Sequence, residues 1–190
     1  MSPGDKLALI VFGLTMGAQV IRRSFSARAV KYIFIASGVF VFAALSYLTY
    51  RQYLAWEENP LMKYSLPPYR GWDYFFSYVG YRLFAPWLIS LLAAIVLARF
   101  AEYLNHRFDE RFFEREETWL MMLGIFLAGY PGFLFYIILI LLAATVVSFF
   151  YSLFLHRRLP LYYFWMPMAI AAVFLRIWLV PVPVSNVFVL

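Results

Sequence analysis

Cysteine is absent from this 190-residue chain, so disulfides, thiolate nucleophiles and cysteine-ligated metal sites are all excluded. Charge is also scarce, because Asp, Glu, Lys and Arg make up only 14% of the sequence. Soluble globular domains contain about 25% of these residues. Hydrophobic residues reach 65% and aromatic residues 22%, which leaves too little polar surface to cover a core in water. The composition therefore predicts a protein whose solvent is a lipid bilayer.

Acidic residues are few, at 10 against 16 Lys and Arg, and the sequence places none of them deep within an apolar run. This distribution disfavours proton relays and ion pumps, which use intramembrane carboxylates. The net charge of +6 is typical of cytoplasmic loops that follow the positive-inside rule, and we expect no nucleic-acid partner.

Six apolar segments predict an all-α fold, a polytopic transmembrane helical bundle that forms a single integral membrane domain over 1–190. The segments cover 7–21, 31–50, 75–98, 119–129, 133–155 and 161–180. With six alternating crossings, ten basic residues share one side, which we assign to the cytoplasm. These residues are Arg22, Arg23, Arg28, Lys31, Arg99, Arg107, Arg111, Arg115, Arg157 and Arg158. We expect the bacterial cytoplasmic membrane, with both termini outside.

Two segments are short for a crossing, since a transmembrane helix needs about 20 residues. The alternative for 7–21 is a helix that lies in the interface. The alternative for 119–129 is a re-entrant half-helix, which would turn Arg157 and Arg158 outward against the positive-inside rule. Extension of this helix back to Glu114 and past Tyr130 recovers most of the missing length, so we predict a full crossing.

Prolines and arginines within the apolar runs carry further predictions. Pro86 and Pro167 predict kinks in the third and sixth helices. Arg82 and Arg176 lie near the predicted outer interface, and we expect both side chains to snorkel to the headgroups.

The segment 99–118 gathers six of the ten acids together with His106. Helical spacing predicts an amphipathic cytoplasmic helix near 100–117, whose apolar arc consists of Phe100, Leu104, Phe108 and Phe112. A second arc could offer metal ligands, namely His106, Glu110, Glu114 and Glu117. No recognised ligand spacing supports a metal site there, and the arc is typical of a solvated helix face. We therefore predict no metal and no other cofactor.

Heme ligation is also disfavoured, because His106 and His156 both lie outside the apolar segments. The outer connection 51–74 is rich in aromatic residues and prolines, and its charges balance. Its alternatives are a cap that binds a ligand and an aromatic belt packed on the helix ends, and we favour the belt.

Small residues recur at four-residue spacing, which lets helices approach closely. Such faces serve either internal packing or partner membrane subunits. The residues are Gly13, Gly17, Gly124, Ala128, Gly132, Ala144 and Ser148.

Residues 116–175 resemble the C-terminal half of prepilin peptidases (type IV leader peptidases). A short apolar helix ends at the turn Gly129-Tyr130-Pro131-Gly132, a longer helix follows, and a basic loop at 156–160 leads to a final helix. The resemblance implies a membrane-embedded hydrolase with paired acids at the cytoplasmic interface. The family's Gly-x-Gly-Asp signature is replaced at 116–118 by two glutamates and a threonine, and the cysteine ligands of its amino-terminal domain are absent. The resemblance therefore implies a catalytically degenerate relative.

Three classes of function stay open. The favoured one is a non-catalytic structural, assembly or accessory subunit of a membrane complex, because catalytic motifs are absent and small-residue faces are present. The second is a prepilin-peptidase-like hydrolase whose candidate catalytic residues are Glu117, Glu114, Asp109 and His106. The third is a small transporter or channel, which is disfavoured because the segments show no inverted repeat.

Overall fold

A computed structural model describes residues 3–21, 26–108, 114–154 and 161–180. Within these ranges the chain forms six helices and contains no β-strand. The all-α prediction is therefore confirmed for the described residues. The helices are α1 (Pro3–Ile21), α2 (Ala27–Glu58), α3 (Trp72–Arg107), α4 (Arg115–Ala128), α5 (Gly132–Phe154) and α6 (Trp165–Leu179).

Four of these helices, α1, α2, α3 and α5, are long and apolar enough to cross a membrane. Their lateral surfaces expose large apolar side chains, such as Leu141 on α5 and Val39 on α2, as expected for a surface that contacts lipid. The other two helices are shorter, with 14 residues in α4 and 15 in α6. At 1.5 Å per residue they reach about 21–23 Å, against a hydrocarbon core of about 30 Å.

Consecutive helices run in opposite directions. At one end of the bundle, the start of α1 meets the end of α6 through Asp5 and Arg176, and Arg176 also reaches Ala128 at the end of α4. At the opposite end, Gln19 near the end of α1 donates to the carbonyl of Tyr162, just before α6. We call these the upper end and the lower end. The structure thus has the alternating order that six crossings require.

The shortest helix, α4, lies at the centre of the bundle and packs against all five other helices. Its side chains are almost all buried from Leu120 to Ala128. Because α4 runs from the lower end to the upper end, it does not fold back as the re-entrant alternative required. Protein instead of lipid surrounds it, so its length need not match the thickness of a bilayer.

Glycine ends α4 earlier than the sequence suggested. Gly129 adopts a left-handed backbone with φ +64°, which stops the helix at Ala128. The predicted extension past Tyr130 is therefore wrong, although the extension at the other end is confirmed, because the helix begins at Arg115 with Glu114 as its N-cap.

The third helix continues well beyond its predicted segment. α3 spans 36 residues, about 54 Å, and carries the expected amphipathic stretch as far as Arg107. The prediction of one continuous amphipathic helix to residue 117 is wrong, since the chain is extended at Glu114 and a new helix starts there. Asp109, Glu110 and the rest of 109–113 lie outside the described residues.

Proline has different effects in the two helices where kinks were predicted. A π-helical segment, Gly80–Phe84, precedes Pro86, whose missing N–H interrupts the regular hydrogen-bond ladder. Pro167 lies in the first turn of α6, where no N–H is required. The structure shows no interior break there, so the kink at Pro167 is not observed.

Longer helices also shorten the outer connection, which covers 59–71 where the sequence suggested 51–74. A second apolar cluster anchors this connection on the ends of α2 and α3, and it comprises Trp56, Leu66, Phe75 and Val79. The connection therefore packs on the helix ends, as expected for the belt.

Candidate functional site

A buried acid and a largely buried arginine meet at the upper end. Arg176, in the last turn of α6, forms an ion pair with Asp5 in the first turn of α1. The same guanidinium donates a hydrogen bond of 2.6 Å to the carbonyl oxygen of Ala128, the last residue of α4. The Asp5 and Arg176 side chains are only 6% and 14% exposed. One arginine thus joins three helices.

Glycine makes room for this junction. A Cβ at Gly129 would lie 2.9 Å from a guanidinium nitrogen of Arg176, and one at Gly132 would lie 3.0 Å from its Cδ. A larger residue at either position would require the Arg176 side chain to shift. The glycines of the turn therefore serve the packing of Arg176.

The predicted snorkelling of Arg176 is wrong, because its side chain turns inward to Asp5. Asp5 itself was not recognised as a buried residue, since it lies before the first apolar segment. The sequence signal for Asp5 is the arginine within an apolar run, because such an arginine usually has an acidic partner at the same end of the bundle. Arg82, in contrast, is exposed, and it donates to the hydroxyl of Tyr78 over 2.9 Å.

A second polar group lies at the lower end, around Glu117. Its carboxylate accepts a hydrogen bond of 3.1 Å from the amide of Glu114, and the Glu114 side chain accepts from the Glu117 amide in return. This reciprocal pair is a capping box that starts α4. The Trp165 side chain, at the start of α6, lies close to the Glu117 carboxyl. Glu117 therefore links α4 to α6.

Burial is the main influence on the chemistry of Glu117, which lies in the first turn of α4, outside the four candidate spans. Burial raises the pKa of its carboxyl above the ordinary value, and the amide hydrogen bond from Glu114 opposes this increase. A raised pKa favours the protonated acid, which is a property of some catalytic carboxyls and also of structural ones.

Tyr136 is a buried side chain of α5 that carries a polar hydroxyl. Its hydroxyl makes no hydrogen bond within the described chain, and its ring packs on Gly124 of α4 and lies 6.4 Å from the ring of Trp165. The contact depends on glycine, since a Cβ at position 124 would come within 2.5 Å of the tyrosine.

The four candidate catalytic residues are not all brought together in the described structure. Glu114 and Glu117 form the capping box, whereas His106 is exposed near the end of α3. Asp109 lies outside the described residues, as do Glu110 of the predicted metal arc and His156. Where the structure is described, no three His, Asp or Glu side chains cluster closely enough to hold a metal ion.

The small-residue faces divide into an internal set and a lateral set. Gly124, Ala128 and Gly132 are buried inside the bundle, where they accommodate Tyr136 and Arg176. The remaining residues of the prediction lie on half-buried or exposed positions of α1 and α5. They are Gly13, Gly17, Ala144 and Ser148.

A crevice of about 320 Å³ lies between α2 and the π-helical segment of α3, and it offers little chemistry. Its two hydroxyls, on Ser46 and Thr49, donate to carbonyls of their own helix. The remaining lining residues are Phe76, Val79, Gly80 and Phe84. None of the lining residues is titratable at neutral pH.

The chain matches no protein-family model, no curated protein and no solved structure. The resemblance of 116–175 to prepilin peptidases therefore stays a prediction.

Proposed function

We propose that this chain is an integral membrane protein with six crossings and that it acts as a non-catalytic structural, assembly or accessory subunit of a membrane complex. One observation carries the proposal: the buried side chains of Asp5, Gln19 and Glu117 are engaged in contacts within the bundle. Asp5 pairs with Arg176, Gln19 donates to the Tyr162 carbonyl, and Glu117 caps α4. An enzyme or transporter would instead direct such groups towards a substrate.

Support for six crossings comes from the alternating helix order and from the position of α4. A helix enclosed by five others does not face lipid, so α4 can cross as an interior helix in spite of its length. The cations at the lower end, such as Lys31, Arg107 and Arg115, favour a cytoplasmic location for that end.

The crossing of α4 can be tested by labelling one introduced cysteine, because the chain has none of its own. We expect a cysteine at Tyr130, which is exposed at the upper end, to react with an impermeant maleimide added outside intact cells. A cysteine at Ser26, exposed at the lower end, is the matched control and should react only after the cells are opened. Labelling of the Tyr130 variant only from the cytoplasm would overturn the crossing.

The lateral small-residue faces support a partner subunit. A Cβ at Gly13 or Gly17 would meet nothing within 4 Å, so this side of α1 is open to another helix. The face also exposes Leu14 and Ile10, which could pack against a partner.

Purification of the native protein in a mild detergent tests the accessory role. We expect a reproducible partner subunit to copurify with the wild-type chain and to be lost from G13L/G17L. The G38L variant is the control, because Gly38 on α2 also has free space around it. A monomer recovered without any reproducible partner would contradict the proposal.

A hydrolase similar to prepilin peptidases is the second candidate, and the burial of Glu117 with its raised pKa favours it. In this alternative Glu117 acts with Glu114, Asp109 or His106 at the cytoplasmic interface. The purified protein should then cleave leader peptides, and E117Q and E114Q should each lose that activity. Absence of turnover in the wild type, or full activity in both variants, would exclude it.

A further inference from the structure

Three cations and an indole gather at the lower end, where α2 and α4 lie side by side. We call this group the basic corner, and it consists of Arg28, Lys31, Arg115 and Trp119. The ammonium of Lys31 lies 5.6 Å from the centroid of the Trp119 ring. Helical spacing brings the other two cations to the same place, because Arg28 precedes Lys31 by three residues and Arg115 precedes Trp119 by four.

Within the described part of the chain, the cations of the basic corner have no acidic partner. Arg28, Lys31 and Arg115 form neither an ion pair nor a hydrogen bond with any described side chain, and all three are exposed. Other arginines of the bundle do find an acid: Arg99 pairs with Glu102, and Arg176 pairs with Asp5. The positive charge of the corner is therefore available to an external anion.

Acids near the corner are mostly engaged elsewhere. Glu114 and Glu117 are reciprocally bonded in the capping box of α4, and Glu117 is turned into the bundle. Among the described acids near the corner, Glu116 is half-buried and has no such role. Counted over the described residues, the corner thus has three cations and one uncommitted acid, which makes it net positive.

Apolar packing holds the indole in a fixed position below these charges. The Trp119 ring is half-buried and lies 6.1 Å from the ring of Phe34, which in turn lies 5.7 Å from Phe126 in the centre of the bundle. The site therefore has three layers: charges at the rim, an indole beneath them and apolar rings further in. This order matches the headgroups, the interface and the acyl chains of a bilayer leaflet.

We propose that the basic corner binds the headgroup phosphate of an anionic phospholipid, with Lys31 and Arg115 on the phosphate and Trp119 at the level of the glycerol. Charge complementarity selects this occupant, because clustered cations beside membrane helices attract anionic lipids of the adjacent leaflet. The inference requires only that the bundle is in a membrane, and it goes beyond the accessory role proposed above.

The outer connection supplies a matched control for the test. Lys63 lies 5.3 Å from the ring of Tyr64, and Arg70 lies 4.0 Å from the ring of Tyr74, so two cations also contact aromatic rings at the upper end. The double variants K31Q/R115Q and K63Q/R70Q each remove two positive charges, but only the first alters the basic corner.

Native mass spectrometry of the full-length protein in detergent can count bound lipids as phosphatidylglycerol or phosphatidylcholine is added. We expect the wild type and K63Q/R70Q to retain phosphatidylglycerol in preference to phosphatidylcholine. Each cation near a membrane surface contributes about 1 kcal/mol, or about fivefold in affinity, so K31Q/R115Q should bind phosphatidylglycerol about 25-fold more weakly. Removal of the nearby acid in E116Q should strengthen binding.

Two outcomes would overturn the proposal. The first is equal binding of the two lipids by the wild type, and the second is an equal loss of phosphatidylglycerol in both double variants. K31R/R115K keeps both charges and should bind as the wild type does. If K31Q/R115Q fails to fold, loss of binding in K31R/R115K as well would count against the proposal.

Discussion

Replacement of Arg176 by methionine should destabilise the bundle more than any other single loss of an arginine in its described part. Methionine fills a similar volume but leaves the Asp5 carboxylate and the Ala128 carbonyl without the guanidinium that both contact. Because the two charged side chains are only 6% and 14% exposed, solvent cannot replace the lost partner. Removal of one member of a buried ion pair costs about 3–5 kcal/mol.

A double-mutant cycle separates the ion pair from general damage to α6. D5N should also be destabilising, by less than R176M, since the remaining guanidinium keeps its bond to the Ala128 carbonyl. The double variant D5N/R176M should lose far less than the sum of the single variants, because neither charge is then left alone. The free energy of unfolding can be measured for all three in detergent, by thermal unfolding followed with size-exclusion chromatography.

An exposed arginine is the control for this cycle. Arg82 donates only to the Tyr78 hydroxyl, so R82M should cost no more than about 1 kcal/mol. For a chain of this length, a loss of about 3–5 kcal/mol lowers the unfolding midpoint by about 6–20 °C. A midpoint for R176M as high as that of R82M, or single losses that simply add in the double variant, would refute the buried ion pair.

Two further variants test the core of the bundle and the lower end. G124A should cost about 1–3 kcal/mol of unfolding free energy, because the new methyl group would come within 2.5 Å of Tyr136. The control G13A adds a methyl group that meets nothing within 4 Å and should be neutral or slightly stabilising. Equal unfolding midpoints of the two variants would contradict the contact between Gly124 and Tyr136. E117Q should reduce the pH dependence of stability. Because the pKa of the Glu117 carboxyl in the folded protein is raised above 4.5, the wild type loses stability as the pH rises from about 4.5 towards neutral. E117Q lacks this carboxyl and should lose less stability over the same range. A parallel decline of both proteins over that range would contradict the raised pKa.

Apolar runs were enough to locate all six helices of the described chain, because a helix surrounded by lipid or by other helices needs mostly apolar side chains. Helix ends were less predictable, since they depend on local backbone chemistry. Gly129 stops α4 through its left-handed backbone, and the capping box of Glu114 with Glu117 starts a separate helix where an amphipathic continuation was expected. The spacing Glu-x-x-Glu ahead of an apolar run is a signal for that start that sequence reasoning did not use.

Hydropathy could not identify the centre of the bundle. The hydropathy of a segment measures how well it partitions into lipid. A helix enclosed by protein does not contact lipid, so its length and hydropathy need not suit a bilayer. α4 was therefore the least convincing crossing by length, and the structure gives it the most buried position. The small residue Gly124 is the sequence feature that fits this position, since it lets Tyr136 of α5 approach closely.

Because charged residues are scarce, the order of the helices limits which acids can pair with Arg176. Alternating crossings place the start of the first helix and the end of the last helix at one end, so an acid in the first turn of α1 lies at the same end of the bundle as the last turn of α6. The other acids predicted at that end, Glu57, Glu58 and Asp73, lie beside the aromatic connection and are exposed. Asp5 is then the acid best placed for Arg176, 171 positions away in sequence. The alternating order of the helices thus limits the candidate partners of a buried arginine to the acids at its own end of the bundle. Local sequence spacing gives no such indication.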